Sequence, residues 1–93
     1  MVNFGTVLFQ SRIISGFSIE EAEAETDITN LEQIEAGTYS PSVEAIEKLS
    51  RIYEIPLSSM FTIVESSQTK HMSSQEVFYV LSEAWMKGHK EKN

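Results

Sequence analysis

Carboxylates are the most abundant reactive groups in this chain: Glu20, Glu21, Glu23 and Glu25 stand close together, and Asp27, Glu32, Glu35, Glu44 and Glu47 follow. Paired carboxylates can serve as general acid and base, but only where one is desolvated or set beside a partner that shifts its proton affinity. These pairs sit in a solvated helical segment, and His71 and His89 lie far from them in the second half of the chain. There is no cysteine, which excludes thiol nucleophiles, disulfides and cysteine-based zinc sites. No glycine-rich phosphate loop occurs, and the serines read as helix caps. The residues point away from catalysis, so neither an enzyme nor a cofactor or metal is expected.

The charge is uneven. Residues 1–69 hold 11 acidic and 3 basic side chains, whereas the remaining 24 hold 3 acidic and 4 basic ones. Between Arg12 and Lys48 there is no lysine or arginine at all. Duplex DNA is held largely through cations that neutralise phosphates and release counterions, so this gap would repel it. A solvated acidic face is the plainer reading of the same residues.

With 93 residues and 41% apolar content, the chain can bury one modest core. Apolar runs are short, the longest being the five residues Val77–Leu81, and the start, Met1-Val2-Asn3-Phe4, has no basic flank. No membrane association is expected, and a soluble cytoplasmic protein is the default.

The elements that position these groups are helices separated by short polar turns, with no alternating strand pattern, which predicts an all-α domain. The first helix starts after Asn3 and stops at Gly16. Ser18-Ile-Glu-Glu21 reads as a capping box for the second, and Thr29-Asn-Leu-Glu32 as another that opens a third helix running to Gly37. After the turn Thr38–Ser42, Ser42 caps a fourth helix whose Val43, Ile46, Leu49, Ile52 and Tyr53 recur at helical spacing. Pro56 ends it, and Leu57 to Ile63 makes a short fifth helix. These five helices occupy residues 1–64, with a polar linker over 65–74. Ser73-Ser-Gln-Glu76 then caps a C-terminal amphipathic helix over 75–93, whose Val77, Phe78, Leu81, Ala84 and Trp85 form one apolar face ahead of a Lys/His-rich tail.

Several of these stretches together carry a resemblance. Gly16-Phe17-Ser18 with Glu20-Glu21, Ile34-Glu35-Ala36-Gly37, Pro41-Ser42-Val43-Glu44 with Ile46, Lys48 and Leu49, and Ile55-Pro56-Leu57 through Met60-Phe61 occur in the order and spacing of a known pattern. Over residues 4–61 the chain resembles the XRE-like, Cro/phage-repressor type helix-turn-helix family. The resemblance implies a five-helix lambda-repressor-like domain, here with an extra C-terminal helix, and a transcriptional regulator that binds DNA as a dimer. Phe4, Leu8, Phe17, Ala22, Leu31, Ile34, Val43, Ile46, Leu49, Ile52 and Phe61 can pack as its single core. In that family an arginine at the position of Arg12 often pairs with the glutamate ending helix three, which implies a structural ion pair between Arg12 and Glu35.

The departures from the family fall where it touches DNA, because such proteins lay the start of helix three in the major groove. From Gly16 to Gly37 this chain is two residues shorter than the common pattern. From the cap Thr29 to Leu31 is two steps where four are usual; alternatively Asp27 is the cap and helix two is the shortened one. Thr29, Asn30, Glu32 and Gln33 are the side chains the resemblance places in the groove. Asn30 and Gln33 could engage adenine and Glu32 could accept from cytosine, but no cation stands ready for guanine or phosphate. Phe9 replaces a frequent arginine and Ile19 a frequent glutamine.

Val7, Phe9, Ile13 and Ile14 exceed what one helix face needs for a core. They suggest a protein-contact surface, unless the last helix folds back over them. Phe78, Leu81 and Trp85 can likewise cap their own domain or pair with a second copy as a homodimer. Lys87, His89, Lys90 and Lys92 read as favourable charge at a helix C-terminus. Two functions follow: a DNA-binding transcriptional regulator, or a regulator of the same fold that has lost DNA affinity and binds another protein, as an antirepressor or repressor partner would.

Overall fold

Local capping chemistry sets where the helices begin. The computed structural model describes residues 2–91, with side chains through His89. The described residues form six helices and no strand: α1 (Phe4–Ser15), α2 (Ile19–Thr26), α3 (Leu31–Ala36), α4 (Val43–Tyr53), α5 (Leu57–Ser66) and α6 (Ser74–Glu91). Asn3 Oδ1 accepts from Thr6 N at 2.9 Å to open α1. Gly16, at φ 83°, closes it from the left-handed region that a glycine enters without cost. The Ser18 and Ser73 capping boxes are both formed, with each serine hydroxyl accepting a backbone N–H from the glutamate three residues on. Each glutamate accepts the serine N–H in return. Those bonds, the one from the Ser18 backbone foremost, hold the Glu21 carboxyl below its ordinary range.

The third helix departs from expectation. Thr29 caps nothing, and α3 begins only at Leu31, after Asn30, whose side chain makes no cap bond either. The free N–H of Leu31 donates instead to Glu23 Oε2 at 3.1 Å, a carboxylate of the preceding helix. Asp27 does not start α3; it ends α2 at φ 62°. Both helices are short, with eight residues in α2 and six in α3.

One core runs through the molecule. Val7, Leu8, Leu31, Ile34, Leu49, Tyr53, Met60, Val77 and Leu81 are all buried in it. The linker is shorter than expected, since α5 continues to Ser66. α6 is not a separate appendage: it lies along α1 and α5 and contributes Val77 and Leu81. Gln10 Nε2 donates to Ser74 O at 3.3 Å and Val2 N to Ser67 Oγ at 3.1 Å, which ties the middle of α1 and the residue ahead of its cap to the second half of the chain. Two expected core positions are on the surface instead: Val43 and Phe61 are exposed, because the apolar stripes of α4 and α5 are wider than the contact those helices make.

Tyr53 sits at the centre of this core with its hydroxyl buried and without a hydrogen-bond partner. Burial, with Glu35 nearby, pushes the phenol well above its usual range. An unpaired buried hydroxyl costs free energy that its removal recovers. Tyr53→Phe is expected to raise stability by about 1 kcal/mol in urea unfolding; a loss of stability would mean that the hydroxyl finds a partner.

Candidate functional site

The cation of the first helix is committed inside the protein. Arg12 Nε lies 2.8 Å from Glu35 Oε2, and Nη2 donates to Glu35 Oε1 at 3.1 Å, a two-pronged pair with side chains only 11% and 7% exposed. Nη1 donates to Phe17 O at 3.0 Å. The Phe9 ring covers the guanidinium at 5.6 Å. The Glu35 hydrogen bond raises the Arg12 pKa further above its ordinary value. A guanidinium held this way orients α3 on α1 and has little left to offer a phosphate.

Around α3 the surface is acidic. Thr29, Glu32 and Gln33 are exposed and Asn30 is half-buried, while Glu20, Glu21, Glu25 and Asp27 face solvent beside them. Six residues at about 1.5 Å each make α3 roughly 9 Å long. Apart from the committed Arg12, the cations Lys48 and Arg51 on α4 line a cleft together with Glu25 and Asp27. Lys48 also lies 3.5 Å from Glu44. Each positive charge here has a carboxylate within its own neighbourhood, so no net positive stripe forms.

A second surface is apolar. Phe9 (45% exposed), Ile13 (50%) and Phe78 (44%) stand on α1 and α6 around a groove of about 350 Å³. Gln10 lies beneath, its Nε2 bonded to Ser74 O and its Oε1 buried without a partner.

No family model, curated protein or solved structure matches this chain.

The remaining candidates divide by burial. Val7 and Leu81 are fully buried in the core, which removes them as surface contacts, because α6 folds over the side of α1 that carries Val7. Ile14 and Trp85 are partly buried and packed against that core. Trp85 also stacks on His89 at 3.9 Å between ring centroids. His89 Nε2 lies 3.0 Å from Glu54 Oε2 and Nδ1 2.9 Å from Trp85 O, so this tail residue fastens α6 to the end of α4. Lys87 is exposed, and the side chains of Lys90 and Lys92 lie outside the described residues.

Sequence reasoning overlooked Tyr79 and Met86, both exposed on the outer side of α6. Their spacing of seven residues, two helical turns, was the available signal. Among the described residues no three acidic or histidine side chains gather as a metal site, and no helix is long and apolar enough to cross a membrane.

Proposed function

We propose that this chain is a cytoplasmic gene-regulatory protein of the lambda-repressor-like, helix-turn-helix type that acts by binding another protein rather than by reading DNA. The observation that carries this reading is the state of the would-be DNA face: exposed carboxylates on α2 and α3 surround a helix of six residues, and Arg12 is locked onto Glu35. Binding a duplex here would bring Glu20, Glu21, Glu25 and Glu32 toward phosphates with no compensating cation among them. The apolar groove of Phe9, Ile13 and Phe78 supplies what the acidic face lacks, a desolvatable patch of the kind partners bury. The partner proposed is a different protein; the net charge of −7 disfavours self-association at low salt without forbidding it.

Direct DNA recognition remains the alternative, favoured by one observation: Thr29, Glu32 and Gln33 point outward and are not needed by the core. Fluorescence anisotropy with a labelled duplex at low salt separates the two. Binding weaker than about 10⁻⁴ M is expected; tight binding that falls steeply with added salt would reverse the assignment. Ile13→Glu is expected to change stability by no more than about 0.5 kcal/mol, as for other exposed positions. It should nonetheless abolish co-purification of the partner protein, and a partner retained by that variant would move the contact surface elsewhere.

A further inference from the structure

We propose that the groove enclosed by the start of α1, the α3–α4 turn and α5 is a binding site for an uncharged, largely apolar small molecule. Its volume is about 610 Å³, within the span of roughly 300–1,000 Å³ common for small-molecule sites. Phe4 and Phe61 form one wall, packed edge to face at 4.9 Å. Ile34 and Ile46 belong to the core behind it, and Val43 stands 60% exposed at its rim. Val43 holds an apolar side chain in water, and Phe61 reaches the core only through Phe4 and leaves 38% of its surface exposed, so the core accounts for neither fully.

The charge pattern selects the ligand. The fourteen lining residues include no Asp, Glu, Lys, Arg or His, in a chain of which 23% of residues are charged. An anion would meet no cation in the groove and a protein of net charge −7 around it, and a cation would find no carboxylate within it. A neutral molecule loses nothing on either count. The groove also offers hydrogen bonds to orient one: Asn3 uses Oδ1 to accept from Thr6, but its amide nitrogen makes no hydrogen bond among the described residues. The side chains of Ser40 and Gln68 at the rim are equally uncommitted among the described residues. Apolar walls with a few convergent polar groups are what fix a small ligand in place. This groove is separate from the α1–α6 surface, and the inference stands whether or not that surface binds a protein.

The test uses two dyes on the whole chain. N-phenyl-1-naphthylamine is uncharged, and 1-anilinonaphthalene-8-sulfonate has closely related rings with a sulfonate. In fluorescence titrations the neutral dye is expected to bind saturably at one site, and the sulfonate at least tenfold more weakly. Val43→Glu, which replaces an apolar wall of the groove by a carboxylate at an exposed position, should weaken the neutral dye at least tenfold. Ile13→Glu in the other groove should leave it unchanged. The proposal fails if no saturable binding occurs, if the sulfonate binds equally well, or if Ile13→Glu rather than Val43→Glu removes the site. Sedimentation velocity completes the test: a dimer that Val43→Glu dissociates would assign the groove to a second copy and overturn the small-molecule site, whereas a monomer at working concentration supports it.

Discussion

Glu35→Ala should lower the free energy of unfolding by about 3–5 kcal/mol, the range for removing one partner from a buried ion pair. The cost arises because the substitution strands Arg12 rather than because it deletes an attraction. Of the three protein bonds to the guanidinium, two end on Glu35, and only the one to Phe17 O would remain. Arg12 cannot shed its proton to escape, and the buried Tyr53 hydroxyl beside it is a poor substitute for a carboxylate. Replacing both partners, as in Arg12→Met with Glu35→Leu, is expected to recover most of the loss, since matched apolar pairs often equal a buried ion pair. Urea unfolding of the single and double variants decides it. A cost below about 1 kcal/mol for Glu35→Ala would place the pair among exposed, screened contacts and return Arg12 to the pool of cations available to a ligand.

Gly5→Ala is the second large effect. A methyl group at Gly5 would collide with Ile34 O and stand 3.0 Å from Glu35 O. Both are backbone atoms of α3 that no rotamer change can move. The two helices must separate, at a cost of about 1–3 kcal/mol for overpacking, against a gain of at most about 1 kcal/mol from the better helix propensity of alanine. For a chain of this size each kcal/mol lost lowers the melting temperature by about 4–8 °C, so a thermal scan suffices; an unchanged or higher Tm would show that the α1–α3 seam can open freely. The substitution acts on the seam that the Arg12–Glu35 pair also closes, so combining it with Glu35→Ala should give less than the sum of the two losses.

What could be read in the sequence was local. The caps at Ser18, Ser42 and Ser73 depend on groups three residues apart, and such chemistry survives in any tertiary setting. Thr29 has the same local pattern and fails, because α3 starts only after Asn30 and the N–H of Leu31 is held by Glu23, eight residues away, which only the packed arrangement of α2 on α3 brings within reach. Periodicity also identifies apolar stripes without saying how wide a neighbour will cover them. Val7 and Phe9 are both surplus on paper; α6 buries the first and leaves the second in water. Val43 and Phe61 err in the opposite direction, standing on core stripes yet facing a groove. The candidate surfaces were thus legible as surplus, and which residues make them up was decided by helix placement.

The closure of α6 against α1 has a consequence during biosynthesis. Ser74 accepts from Gln10 across 64 residues, and Val77 and Leu81 complete the layer over Val7. A nascent chain has therefore made every element of the first five helices before the element that seals the first one leaves the ribosome. Until then the inner side of α1 remains open to water and to chaperones, and the cooperative unit cannot close. Closure of this fold is for that reason timed by its last helix rather than its first.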